Sequence, residues 1–187
     1  MNRKRFYIPG DTWLYYKIYL VPFRSDWFLR EIMFPLILSF QEDLAIGKWY
    51  FVRYHDPEYH LRIRIKLNSL DYLTEVMKST RERIHPLIRY GRIRNVQLDT
   101  YQREYEKYGN KTISWCEEIF HHDSITVMEM LRHTLDEGED HDQVRFLSAI
   151  KSVEQFMNDF KMSQNFRKEF LRQIIEGMKE RFQDYDI

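Results

Sequence analysis

Residues 59–67 read YHLRIRIKL, and this stretch decides the fold because polar and apolar side chains alternate along its length. A period of two is typical of a β-strand with one buried face. Residues 48–54 (KWYFVRY) are rich in aromatic and branched residues, which favour a second strand, and the turn HDPE separates the two. The sequence therefore predicts a β-hairpin.

The same reasoning extends outward from the hairpin. It predicts strands over residues 13–20 and 93–101 and helices over residues 27–45 and 69–90. In the first helix, Pro35 should mark a kink or a helix start, and Gly47 should end it. The order strand, helix, strand, strand, helix, strand predicts an α+β fold with a ferredoxin-like βαββαβ antiparallel sheet over about residues 13–101.

The chain after Gly109-Asn110 is expected to be a C-terminal helical segment, residues 111–187. Three helices are predicted, over residues 113–135, 143–161 and 165–183, and the acidic loop DEGEDHD separates the first two.

Composition indicates one folded domain over residues 1–187. The 187 residues are 43% hydrophobic, enough for one core, and the single cysteine, Cys116, excludes a disulfide framework. No apolar run approaches the roughly 18 residues of a membrane span, and no apolar segment follows the N-terminal cations as in a secretion signal. We therefore expect a soluble, cytoplasmic protein without membrane association.

Charge is balanced overall but unevenly distributed. The chain has 29 Lys/Arg and 29 Asp/Glu, yet residues 1–110 hold 19 of the cations and 13 of the acids, a net charge of +6. This asymmetry favours an anionic partner for one face rather than direct nucleic-acid binding, which usually needs a basic domain. Attraction between the two halves is the simpler explanation.

The third predicted strand carries the main candidate site. Alternation places His60, Arg62 and Arg64 on one face, about 6.5–7 Å apart, and the apolar residues on the other. Two guanidinium groups at this spacing can hold a carboxylate or phosphate by bidentate hydrogen bonds. Lys17 and Arg53, on other strands of the sheet, are expected to add to the same positive field. The alternative is an exposed row of arginines.

Two further clusters contain residues of catalytic types. Glu104 and Lys107 would share one face of a helical turn, either as an acid/base pair or as an exposed ion pair. The run HHDS at residues 121–124 suggests a metal site or a triad, but adjacent histidines on a helix point about 100° apart and no other ligand spacing is present. Asp123-Ser124 is more typical of a cap opening a new helix.

Four ordered segments resemble a known family. They are WLYYKIY at 13–19, WYFVRYHDPEYHLRIR at 49–64, LDTYQREYEKYG at 98–109 and CEEIFHHDS at 116–124. Together they resemble the C-terminal elimination domain of lantibiotic dehydratases, which also occurs as stand-alone thiopeptide-type bacteriocin biosynthesis proteins. The resemblance covers about two-thirds of the chain.

The resemblance implies a lyase. A separate glutamyl-tRNA-dependent subunit would esterify Ser or Thr of a ribosomally made precursor peptide with glutamate, and this chain would eliminate the glutamate to give dehydroalanine or dehydrobutyrine. The resemblance implies no cofactor or metal, and a homo-oligomer is compatible with it. It implies catalytic roles for four residues: Arg62, Arg64, Glu104 and Lys107. The implied substrate-binding residues are Lys17, Arg53, His60 and Tyr101.

Two departures from the family pattern keep alternatives open. Lys107 stands where the family has arginine, and the family's helical His-Met-x-x-Asn-Arg motif is represented only by KMSQNF at 161–166, with Lys161 in place of the histidine. The alternatives are a related cyclase that makes the pyridine of thiopeptides by a formal [4+2] reaction, and a non-catalytic peptide-binding subunit.

Overall fold

A computed structural model describes residues 4–134 and 141–182. The chain divides into two compact units, residues 1–133 and residues 134–187. The single domain expected over residues 1–187 stays a prediction. No helix in the described ranges has the length and hydrophobicity needed to cross a membrane.

A four-stranded antiparallel sheet is the centre of the first unit. The strands of this unit are β1 (Phe6–Tyr7), β2 (Trp13–Tyr19), β3 (Ile46–His55), β4 (Tyr59–Leu67), β5 (Asn95–Leu98) and β6 (Tyr101–Gln102). The large sheet has the order β3-β4-β2-β5, and β1 pairs with β6 in a second, two-stranded sheet. The predicted hairpin is confirmed as β3 and β4, and the mixed α+β architecture with antiparallel strands is confirmed.

Helices cover one face of the large sheet. The helices of the first unit are α1 (Ser25–Phe28), a π-helical turn (Leu29–Met33), α2 (Phe34–Glu42), α3 (Leu73–Arg89), α4 (Tyr105–Tyr108) and α5 (Ile113–Thr134), and all of them except α4 contribute buried side chains to the core on this face. Ile18, Leu61, Ile63 and Ile65 of the sheet are at most 1% exposed and form one apolar cluster with α1–α3 and α5. Burying one large aliphatic side chain contributes about 1.5–3 kcal/mol to the stability of the fold, so these contacts hold the sheet and the helices together.

Two sequence-based boundaries differ from the structure. The first helical region ends at Glu42 rather than at Gly47, which lies within β3, and Leu44 takes the left-handed conformation at φ 55°. Pro35 is the second residue of α2 and so marks a helix start, one of the two predicted outcomes. The strand predicted over 93–101 is split, because the Asp99 carboxylate accepts a hydrogen bond from the Thr100 amide and the chain leaves β2 to pair with β1.

The second unit contains α6 (His141–Asp159) and α7 (Gln164–Phe182), in agreement with the two predicted C-terminal helices. Arg167 closes the turn between them, because its guanidinium donates to the carbonyl oxygens of Met157 and Met162. The acidic loop expected at 136–142 lies largely outside the described residues.

Candidate functional site

The face of the large sheet opposite the helices carries the predicted basic residues. In β4, Leu61, Ile63 and Ile65 are buried among the helices, and Arg62 and Arg64 are half-buried on the opposite face. The predicted alternation is confirmed. The register places Tyr15 and Tyr50 on either side of Arg64.

Arg62 is held by a ring and an imidazole. Its Cζ lies 3.3 Å from the centroid of the Tyr54 ring, and its Nε donates to His60 Nε2 at 3.1 Å. His60 is 1% exposed, and its Nδ1 lies 2.8 Å from the Glu58 carbonyl oxygen. Burial, with the charges of Arg62 and Lys17, lowers the pKa of His60, so the ring is neutral and donates from Nδ1. His60 therefore orients Arg62 and has no free lone pair for proton abstraction.

Arg64 lies among three tyrosine rings. Its Cζ is 4.4 Å from the ring centroid of Tyr15, 4.9 Å from that of Tyr101 and 5.3 Å from that of Tyr50. Cation–π contacts of this kind contribute about 0.5–2 kcal/mol each without neutralising the charge. Among the described residues neither Arg62 nor Arg64 forms an ion pair with a carboxylate. Both guanidinium groups keep their positive charge available to a ligand.

These arginines line a cleft of about 170 Å³ that also contains the second candidate pair. Glu104 immediately precedes α4 and Lys107 lies within it, with Oε2 and Nζ 3.8 Å apart, and both side chains are more than half exposed. The described lining residues include three cations, Arg62, Arg64 and Lys107, and one carboxylate, Glu104. The cleft is thus suited to an anionic ligand. Its lining is Tyr50, Val52, Tyr54, Arg62, Arg64, Tyr101, Gln102, Glu104, Lys107, Tyr108, Ile113 and Phe120.

A buried hydrogen-bond network lies behind the cleft. Tyr50 Oη donates to Tyr101 Oη at 2.9 Å, and Tyr101 Oη donates to Glu117 Oε1 at 2.8 Å. Arg103 binds the Glu117 carboxylate through Nε and Nη2, each at 2.7 Å, and the Glu117 side chain is 1% exposed. Burial raises the pKa of Tyr50 to about 12 and also raises that of Tyr101. Both phenols therefore stay protonated and act as hydrogen-bond donors.

Arg103, Glu117 and Tyr50 were missed by the sequence reasoning as members of the site. Arg103 and Glu117 are 14 residues apart, and Tyr50 and Tyr101 are 51 residues apart, so no local spacing connects them. The only sequence signal was their position within segments that resemble the family.

Three of the four predicted substrate-binding residues do not line the cleft: Lys17, Arg53 and His60, which is buried beside Arg62. Lys17 is on the same face of the sheet, but its Nζ is 2.5 Å from Asp99 Oδ2 and it does not line the cleft. The expectation that Arg53 joins the same positive field is wrong. Arg53 points to the helix side of β3, where its Nη2 lies 2.5 Å from Asp26 Oδ1. The register pairs Arg53 with Leu61, which is buried among the helices, so both side chains lie on that face.

The HHDS run has a structural role. His121 Nδ1 lies 2.8 Å from the Trp49 carbonyl oxygen, and Ser124 Oγ accepts from the Phe51 amide at 3.1 Å, so both side chains hold α5 against β3. The predicted helix start at Asp123-Ser124 is wrong, since α5 continues through both residues. Within the described part of the chain, no three His, Cys, Asp or Glu side chains cluster as a metal site requires.

A family model defines the class of this protein. Residues 13–186 match the model described as lantibiotic biosynthesis dehydratase C-term. The chain belongs to this family, which confirms the resemblance seen in the sequence and places the protein in peptide natural-product biosynthesis.

Two curated relatives carry matching segments. The nisin biosynthesis protein NisB of Lactococcus lactis subsp. lactis is 29% identical over 188 residues, covering 95% of this chain and 18% of NisB. The subtilin biosynthesis protein SpaB of Bacillus subtilis is 27% identical over 169 residues, covering 85% of this chain and 15% of SpaB. The chain thus spans less than a fifth of the length of either relative.

Solved structures show the same fold. The tRNA-dependent lantibiotic dehydratase MibB from Microbispora sp. 107891 aligns with a TM-score of 0.62 at 28% identity, over 70% of this chain and 13% of MibB. TsrL aligns with a TM-score of 0.50 at 17% identity, over 94% of this chain and 61% of TsrL, a likeness of fold alone.

Proposed function

We propose that this protein is a glutamate-eliminating lyase that acts on a glutamylated Ser or Thr of a precursor peptide. The observation that carries the proposal is the pair Arg62 and Arg64, two guanidinium groups in one cleft with no carboxylate partner among the described residues. Membership of a lantibiotic biosynthesis dehydratase family supports a dehydration reaction on a peptide.

The reaction needs one base and one anion site. The Cα proton of the esterified residue goes to the base, the Cα–Cβ double bond forms, and the Cβ–O bond breaks so that glutamate leaves as a carboxylate. Arg62 and Arg64 stabilise the charge that develops on the enolate oxygen and on the leaving carboxylate. They remain protonated and therefore cannot be the base.

Glu104 is the proposed base. It is the one carboxylate among the described residues that line the cleft, and its Oε2 lies 3.8 Å from Lys107 Nζ. Tyr101 keeps its proton, which it donates to Glu117, so it is proposed to contact the substrate through its ring and not to remove a proton. This assignment places the base within the first unit and needs no function for Lys161.

The remaining expectations belong to this proposal. They are a separate glutamyl-tRNA-dependent subunit that supplies the ester, a cytoplasmic location, and a homo-oligomer. The ferredoxin-like classification of the sheet is likewise proposed, and the strand order β3-β4-β2-β5 in antiparallel pairing supports it.

The test uses a synthetic peptide with an O-glutamyl serine, incubated with the protein and followed by mass spectrometry. We expect conversion of the serine ester to dehydroalanine with release of glutamate. Arg64→Met and Glu104→Gln should each abolish it, and Arg83→Met, which changes an exposed arginine of α3 outside the cleft, should not. An ester that persists with the wild-type protein would contradict the proposal.

A second candidate is a peptide-binding subunit without turnover, favoured by Lys161 in the position of the family's histidine. It predicts that the same peptide binds and is released unchanged, and that Arg64→Met weakens this binding.

A further inference from the structure

The β3 edge of the large sheet is covered by another element, whereas the β5 edge is open among the described residues. At the β3 edge, α5 covers the backbone, because His121 contacts Trp49 and Ser124 accepts from the amide of Phe51. At the β5 edge, no strand or side chain of the described residues hydrogen-bonds to the outer backbone groups of Asn95–Leu98. An uncovered edge strand offers unpaired N–H and C=O groups to another extended chain.

An apolar groove of about 410 Å³ lies beside this open edge, between β5 and α3. Val96 and Leu98 form its sheet side, and Met77, Ile84 and Ile88 form its helix side. Ile88 is 41% exposed, so apolar surface remains uncovered directly next to the unpaired strand. A strand added to β5 would direct every second side chain into this groove.

The rim of the groove is basic. Lys78, Arg81 and His85 lie along α3 at the groove, and the described lining residues include no carboxylate. Lys78 and Arg81 are exposed and form no ion pair within the described ranges. The rim therefore complements a segment that carries acidic side chains.

We propose that the β5 edge and this groove bind an extended segment of the peptide substrate, in which every second residue faces the groove and these residues are in part apolar and in part acidic. The segment adds as a fifth strand next to β5. Of the side chains on its groove-facing side, the apolar ones enter the groove and the acidic ones reach Lys78 and Arg81 at the rim. The identity of the occupant rests on the proposed function, since it takes the bound chain to be the precursor peptide.

The groove and the cleft serve different purposes in this arrangement. The groove lies on the helix side of the sheet, with Tyr16 and Leu98, while Arg62 and Arg64 lie on the opposite side. A segment bound at the β5 edge would tether the peptide and raise its effective concentration at the cleft without occupying the reacting groups.

The probe is a fluorescein-labelled octapeptide in which valine and glutamate alternate at the odd positions and threonine fills the even positions, so that valine and glutamate share one face of the strand. Its binding to the full chain is measured by fluorescence anisotropy. We expect saturable binding that Lys78→Glu/Arg81→Glu weakens by about tenfold or more, as loss of two ion pairs and their replacement by repulsion requires. Ile88→Asp should weaken it as well. Arg83→Glu, on the same helix but outside the groove, is the matched charge control and should leave binding unchanged.

Backbone pairing is tested with two N-methylated forms of the probe, each methylated on alternate residues. Alternate amides of a strand point to opposite edges, so one form should lose binding and the other should keep it. Equal binding of both forms, or an equal effect of Arg83→Glu, would overturn the proposal. So would a concentration-dependent dimer in sedimentation that Ile88→Asp abolishes, because a second copy would then occupy the edge. These measurements involve no turnover, so their outcome is independent of whether the ester is eliminated.

Discussion

The buried pair of Arg103 and Glu117 should be a determinant of both stability and anion binding. Arg103→Met would leave the Glu117 carboxylate uncompensated at 1% exposure, with only the Tyr101 hydroxyl remaining of the three donors shown around it. Removing one partner of a buried ion pair costs about 3–5 kcal/mol. This is a large share of the 5–15 kcal/mol by which a domain is usually stable.

The matched variant is Arg103→Met/Glu117→Gln. Glutamine is neutral, and its carbonyl oxygen can still accept from Tyr101, so the double variant should recover about 1–3 kcal/mol relative to Arg103→Met. Urea unfolding followed by tryptophan fluorescence measures this, because all four tryptophans lie in the first unit. A double variant no more stable than Arg103→Met would refute the reasoning, because the loss would then not come from the unpaired carboxylate.

Three further outcomes are expected. Burial lowers the pKa of His60 and of His121, so as the pH falls below about 6.5 these histidines take up protons in the unfolded chain before they do so in the folded one. The free energy of unfolding should therefore decline towards pH 5, and His121→Gln should reduce that decline. Ile63→Ala, at 1% exposure between sheet and helices, should cost about 2–5 kcal/mol in urea unfolding. Arg62→Lys keeps the charge but loses the Tyr54 ring contact, so binding of a peptide with a glutamyl amide in place of the ester should weaken by about tenfold in calorimetry.

Each of these has a contradicting result. A pH profile of stability that is flat between 6.5 and 5, or unchanged in His121→Gln, would exclude the histidine linkage. A loss below about 1 kcal/mol for Ile63→Ala would show that the core collapses around the gap. Unchanged affinity of Arg62→Lys would show that charge alone, without the planar group, holds the ligand.

The sequence predicted correctly which face a strand residue lies on where apolar and polar residues alternate along the strand. In β4 the alternation is complete, and the structure confirms the face of Arg62 and Arg64. In β3 both faces carry aromatic or branched residues, so the period of two gives no polarity signal. The face of the sheet on which Arg53 lies was therefore predicted wrongly. Trp49 is buried on the helix side, and Phe51 and Arg53 follow it two and four residues later, so all three side chains lie on that side.

Contacts between distant segments account for the rest. His121 and Ser124 contact β3 across 72 and 73 residues, and the local sequence HHDS indicates a helix cap as readily as an edge contact. The pairing of β1 with β6 likewise joins two residues near the N-terminus to residues 101–102. Neither contact leaves a periodic pattern, because only one or two side chains of each segment take part.

The positive charge of the cleft depends on residues that do not line it. On this side of the sheet, Glu117 is bound by Arg103 and Asp99 by Lys17, so these two carboxylates already have a cation. Arg64 contacts Tyr101 from the ring face while Glu117 accepts from the hydroxyl of the same tyrosine. If Arg103 were aliphatic, Glu117 would be left as an uncompensated carboxylate one tyrosine away from Arg64. Anion binding should then fall although no residue of the cleft had changed, and Glu117→Gln in the same chain should restore it.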